Sequence, residues 1–129
     1  MGRKRSFDEG AVLAAAGRAF LTAGFEGTSI DELVRATGLL RGSLYQAFGS
    51  KRGLFLAVLR QGEPAPAGDA DLDLLLIATL ELAPRDDEVR DLVRERLGGT
   101  GDPAHLLGHR LLARAGLAAP AGHEGREEP

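Results

Sequence analysis

Between Ile30 and Phe55 the chain reads IDELVRATGLLRGSLYQAFGSKRGLF, two short amphipathic segments split by a glycine and followed by a third. Ile30, Leu33, Val34 and Thr37 recur at i, i+3, i+4 and i+7, which lays one apolar stripe along a helix. Thr28 and Ser29 precede the stripe and Asp31 and Glu32 follow three residues on. A capping box is therefore expected to start the helix near Ser29 by satisfying its free N–H groups. Gly38 stops it, because glycine takes up the left-handed conformation that reverses the chain without a Cβ penalty. Beyond the turn Leu39, Leu44 and Phe48 are expected to face inward, leaving Arg41, Gly42, Ser43, Tyr45 and Gln46 outward. That outline is a helix-turn-helix.

The outward set carries the chemistry of duplex DNA recognition. A helix of this width fits a major groove, Arg or Gln makes bidentate contacts to base edges, and Ser or Tyr hydroxyls hold phosphates. The stretch GLLRGSLYQAFGSKRGLF resembles the recognition helix and following helix of TetR-type transcriptional regulators. The likeness runs from Ser6 to about Arg60, just under half the chain. By that resemblance Arg41 and Gln46 contact bases, whereas Thr28, Ser43, Tyr45 and Lys51 hold phosphates and Gly42 lets the helix start approach the DNA backbone. Two positions depart from the family pattern. Val34 stands where alanine usually lets the two helices cross closely, and Leu40 replaces a small or polar cap. An overfilled crossing costs about 1 to 3 kcal/mol, and a lost polar cap about 1 kcal/mol.

Upstream, a helix is expected from about Asp8 to Ala23, opened by a capping box at Ser6 and Glu9, with Val12, Ala16, Ala19, Phe20 and Ala23 on its buried face. Phe20 is its core anchor, and Phe25 is placed to plug the three-helix core from the following loop. Arg3, Lys4 and Arg5 form a basic arm suited to a phosphate track or the minor groove. Charge agrees with this arrangement. The formal net charge of -3 over 129 residues hides a split. Residues 1–60 carry nine Lys or Arg against five Asp or Glu, a formal +4, and residues 61–129 carry seven against fourteen, a formal -7. Basic charge gathered beside a groove-reading element is the footprint of a DNA binder.

A composition that is 43% hydrophobic and 5% aromatic, with no obvious strands, describes an all-α chain. Without cysteine there are neither disulfides nor thiolate metal sites. No apolar run reaches membrane-spanning length and the N-terminus lacks a signal-peptide core, so a cytoplasmic location and no membrane partner are expected.

The fourth helix is expected to open at Ser50, to carry Leu54, Phe55, Val58 and Leu59, and to end near Arg60, giving a DNA-binding unit over 1–60. A linker over 61–71 contains the helix-incompatible run EPAPAGD. Helices follow over Leu72–Ala83, Asp87–Leu97 and Pro103–Leu117, and residues 118–129 read as a disordered tail. The string LLLIATLELAPRDDEVRDLV resembles a stretch deep inside the regulatory domain of longer relatives. By that likeness the three-helix bundle is followed by a reduced helical regulatory region over 72–117. The leucines that surround the helix at Leu72 need cover on nearly every side, which predicts a second copy of the chain.

The resulting expectation is a repressor: a homodimer on a palindromic operator of double-stranded DNA, released by a small-molecule inducer, with no cofactor. The alternatives are a helical protein-interaction module that docks through the Leu72 helix, and a decayed regulator with weak DNA binding. Asp102, His105 and His109 share a helix face, but no Glu follows the first His to act as a base, and no metal site is expected. Neither a phosphate loop nor a nucleophile elbow is present, so the chain is not expected to be an enzyme.

Overall fold

Three phenylalanines decide where the first helices meet. In the computed structural model, which describes residues 7–62 and 68–117, Phe20 and Phe55 are fully buried and Phe25 nearly so. Phe20 meets the edge of Phe55 at 5.0 Å and stacks on Phe25 at 6.0 Å, and Phe25 meets Phe55 at 5.3 Å. Offset and edge-on rings at these separations are the favourable geometries for aromatic pairs. Around the triad stand α1 (Glu9–Ala23), α2 (Ile30–Thr37), α3 (Arg41–Phe48) and α4 (Lys51–Gln61). Every described element is helical, so the chain is all-α as its sequence predicts.

The caps set the bounds. Asp8, rather than Ser6, caps α1 by accepting from the Ala11 N–H at 3.2 Å; Ser6 lies outside the described residues. Leu13 and Gly17 join the buried face of α1, while Ala23, expected inside, is exposed. The reason is that α1 is wrapped by both α4 and the C-terminal half, which rotates its contact stripe toward Leu13. Ser50 caps α4 as expected, with its hydroxyl accepting from the Gly53 N–H at 2.9 Å.

The C-terminal half comprises α5 (Asp69–Ile77), α6 (Asp87–Leu97) and α7 (Pro103–Arg114). Gln61 is still helical and α5 begins at Asp69, so the expected linker narrows at both ends; residues 63–67 lie outside the description. The expected single helix over Leu72–Ala83 instead changes pitch, passing into a π turn at Ala78–Leu82 and a 3-10 turn at Ala83–Arg85. The change puts Glu81 against the α1–α2 loop, where its carboxylate accepts from the Glu26 N–H at 2.8 Å.

Leu75, Ile77, Ala78, Leu82, Val89 and Val93 belong to the same buried cluster as Phe20, Leu33 and Phe55. This corrects the expectation that a second copy must cover the Leu72 helix. The helices α1, α6 and α7 cover it, leaving Leu72, Leu74 and Leu76 half-buried and only Leu80 fully outward, at 75% exposure.

Polar contacts tie the halves together. Arg96, buried on α6, donates from Nη1 to the Leu59 carbonyl at 2.7 Å, which places a cation at the C-terminal end of α4, where the helix dipole is negative. Its guanidinium lies so close to Gly62 that a Cβ there would sit 2.5 Å from Nη2, so a side chain at that position would displace the guanidinium. On α7, Arg110 forks onto Asp73 at 2.7 and 3.2 Å, and Arg114 reaches the Leu21 carbonyl of α1 at 2.8 Å.

At the front of α6, Arg52 forks onto Asp86 at 2.6 and 3.0 Å and also reaches Glu88 at 3.0 Å. Hydrogen bonds from Arg52 hold the Asp86 carboxyl at about 2, below its ordinary 3.8. Because the folded value lies below the unfolded one, the stabilisation is fully present above pH 4 and is lost as the pH falls toward 2. Asp86→Asn keeps a competent N-cap for α6 but removes the charge. Denaturant titrations from pH 7 to pH 2.5 are expected to show the variant less stable at neutral pH, with a shallower loss of stability in acid. Parallel pH profiles for the two proteins contradict this assignment.

Candidate nucleic-acid interface

The helix-turn-helix is built locally and then locked from behind. Ser29 and Glu32 form the expected capping box: the Ser29 N–H donates to Glu32 Oε1 at 2.8 Å and the Glu32 N–H to Ser29 Oγ at 3.1 Å. The bonds from Ser29 hold the Glu32 carboxyl below its usual range. Gly38 ends α2 at φ 76°, and its N–H donates to the Val34 carbonyl at 2.9 Å. The Thr37 hydroxyl joins the helix end to the turn by donating to the Leu33 carbonyl at 2.7 Å and accepting from the Leu39 N–H at 3.2 Å. Val34 is accommodated half-buried against the core.

Leu44 is the pin of α3, 4% exposed, with Leu39 and Phe48 packed beside it. With that face fixed, Arg41, Gly42, Tyr45 and Gln46 are exposed and Ser43 is half-buried. Tyr45 is 42% exposed, and its inner side lines a crevice with Ile30, Leu44, Ser50, Lys51 and Leu54. It thus covers the core while presenting a surface outward. At Gly42 a Cβ would meet nothing within 4 Å, so the bare helix start is open to solvent. Arg41 is ion-paired with Asp31 at the start of α2, a partner that helical periodicity does not disclose because it lies across the turn.

Two residues expected to hold phosphates are placed differently. Thr28 is 1% exposed and its hydroxyl donates to the Gly24 carbonyl at 2.6 Å, which turns it inward as a tie for the α1–α2 loop. Lys51 donates from Nζ to the carbonyls of Phe25 and Thr28 at 2.9 and 3.0 Å, with the ammonium 4.5 Å from the centre of the Phe25 ring. Two loop carbonyls that converge on one point, and an aromatic face beside them, hold the cation there. Arg3, Lys4 and Arg5 lie outside the described residues.

Among the described residues no group of three metal-ligating side chains comes together. Asp102 instead caps α7 by accepting from the His105 N–H at 3.0 Å, and the His105 and His109 rings stack at 6.0 Å. A cleft of about 360 Å³ opens between α1, α4 and α5, lined by Leu13, Gly17, Leu21, Val58 and Leu74 with Arg18, Gln61 and Asp71 at its polar parts. No described helix is long and apolar enough to cross a membrane.

A capped helix, a glycine turn and a pinned second helix with a polar front define a helix-turn-helix protein. Residues 12–58 match the family described as bacterial regulatory proteins, tetR family. Over 60 residues it is 43% identical to an uncharacterized HTH-type transcriptional regulator, YezE, of Bacillus subtilis, covering 46% of this chain and 31% of that protein. It is 47% identical over 58 residues to the HTH-type transcriptional repressor ComR of Escherichia coli, covering 45% and 28%. To the repressor AcnR of Corynebacterium glutamicum it is 42% identical over 50 residues, covering 39% and 27%. The similarity thus spans less than a third of each relative's length.

Proposed function

We propose that the chain is a DNA-binding transcriptional regulator, a repressor rather than an enzyme, that inserts α3 into the major groove of double-stranded DNA. The observation that carries this reading is the orientation of α3: Leu44 is buried, so Arg41, Tyr45 and Gln46 stand outward together on a rigid helix. Arg41 and Gln46 supply base contacts, and Tyr45 and Ser43 hold phosphates. Arg3, Lys4 and Arg5 supply a basic arm. The chain works in the cytoplasm, where its DNA is.

One recognition helix reads only a few base pairs, so specificity calls for a homodimer on a palindrome whose half-sites lie about 34 Å apart. Leu111, Leu112 and Leu117, exposed at and beyond the end of α7, support a chain-to-chain surface there. The cleft between α1, α4 and α5 touches the helix that braces the reader, and a small apolar inducer bound in it would shift α4 against α1.

Anisotropy titrations of the full chain on 30-base-pair duplexes, selected from a randomised pool, test the reading. Log affinity is expected to fall linearly with log salt. Arg41→Ala should weaken selected duplexes by about 10-fold or more while relaxing preference at one position per half-site. Light scattering during size-exclusion chromatography reads the dimer. A chain that retains no duplex at low salt removes the regulator reading, and a stable monomer at micromolar concentration removes the paired half-sites.

A further inference from the structure

The recognition helix is the only one of the described α-helices whose N-cap is a large apolar residue. Asp8, Ser29, Ser50, Asp86 and Asp102 cap α1, α2, α4, α6 and α7 through side-chain oxygens, and α5 begins after Gly68. At α3 the position is held by Leu40, which makes no side-chain cap hydrogen bond. Its backbone does the cap's other duty, since its carbonyl accepts from the Leu44 N–H at 3.0 Å. Leu39, one residue earlier, is packed on the core, and Leu40 is turned away from it. At 77% exposure Leu40 is the most exposed of the large apolar side chains described.

Stability does not account for this choice. A polar cap here would satisfy a free N–H group, as it does at the other helices, and would place no leucine in water. What Leu40 does have is position: it precedes Arg41 and the bare helix start at Gly42, at the leading end of the exposed front. Among the features that base pairs show in the major groove, the thymine 5-methyl is the apolar one, and apolar side chains recognise it by contact.

We propose that Leu40 is a specificity-determining residue that packs against a thymine 5-methyl group in the DNA site. The inference rests on the reading that α3 enters the groove. It adds an apolar contact to the hydrogen-bonding set of Arg41 and Gln46, and it makes thymine preferred over cytosine and over uracil at one position of each half-site.

Uracil differs from thymine by that methyl alone, so the test is a methyl scan. The full chain is titrated against a duplex selected from a randomised pool, and each thymine is then replaced by deoxyuridine in turn. At one thymine per half-site the replacement is expected to weaken binding about fourfold, the factor that corresponds to one buried methyl-sized group. Leu40→Ser, which supplies a cap and should melt no lower than the parent, is expected to bind the thymine and uracil duplexes equally while keeping the parent's salt dependence.

A parent chain that binds a selected duplex but ignores every methyl overturns this inference and leaves the regulator reading standing. So does a methyl effect that survives in Leu40→Ser, because another side chain then makes the contact. A change in oligomeric state in Leu40→Ser assigns the leucine to a chain-to-chain surface and likewise overturns it. Absence of salt-dependent binding to any duplex removes the reading and the inference together.

Discussion

Phe55→Ala is expected to remove about 3 to 5 kcal/mol of folding stability, the range for deleting a buried phenylalanine without collapse of the cavity. Phe55 is fully buried on α4 and meets both Phe20 and Phe25, so its loss opens the junction of α1, the α1–α2 loop and α4. A total stability of about 5 to 15 kcal/mol leaves little margin after such a change, and the melting temperature should fall by roughly 10 to 20 °C. The single buried cluster makes a further demand. Leu75, Leu82 and Val89 lie in it with Phe55, so α5 and α6 should melt in the same transition as the helix-turn-helix. Coincident loss of far-ultraviolet circular dichroism and of duplex binding reads that cooperativity. Phe55→Leu, which keeps most of the volume, should cost less than about 1.5 kcal/mol. Two separated transitions in the parent, or a loss below 1 kcal/mol in Phe55→Ala, contradict the shared core.

What could be read from the residues follows how local the causes are. The bounds of α2 were legible because Ser29, Glu32 and Gly38 act on their own backbone within a few residues. Asp87–Leu97 was legible for the same reason, its apolar stripe being contained in the helix. The outward front of α3 followed from Leu44 and Phe48 at helical spacing, Phe20 from its place on the buried face of the first helix, and Phe25 from its place in the loop that follows. The misplaced features depend on groups distant in sequence. The Leu72 helix looked uncovered because nothing in its own residues announces that α1 and α6 lie over it. The pitch change at Ala78 aims Glu81 at a loop 55 residues upstream. Arg96 sits among charged neighbours in DEVRDLVRERL, and partners distant in sequence, the Leu59 carbonyl and Asp71, account for its burial. The same separation hid the partners of Arg41 and Arg52 across the turn and across the halves.

Within the candidate interface, the side chains divide between those that point away from the core and polar groups that have a carbonyl within reach. Arg41, Tyr45 and Gln46 are outward, as their family counterparts suggest. Thr28 and Lys51 have the right chemistry for phosphate but are used inside the chain. Such inward use fixes the loop from which α2 departs and hence the angle at which α3 is presented.

Lys51→Ala should therefore act on folding before it acts on DNA. Removing the ammonium leaves the carbonyls of Phe25 and Thr28 without their charged donor, and hydrogen bonds to charged groups contribute about 1.5 to 3 kcal/mol each in net terms. The two share one donor group, so the expected loss is about 3 kcal/mol rather than their sum, with some of it from the vacated face of Phe25. Lys51→Met keeps the aliphatic stem beside the ring and should lose nearly as much, since the missing donors are the larger effect. DNA binding separates the two roles open to this lysine. A residue that neutralises a phosphate contributes about one unit to the slope of log affinity against log salt. An internal strap contributes none, so at a temperature where the variant is fully folded Lys51→Ala should bind more weakly with the parent's slope. A variant of parental stability whose salt slope falls by one unit would return Lys51 to the phosphate backbone and leave the loop held by Thr28 and Glu81.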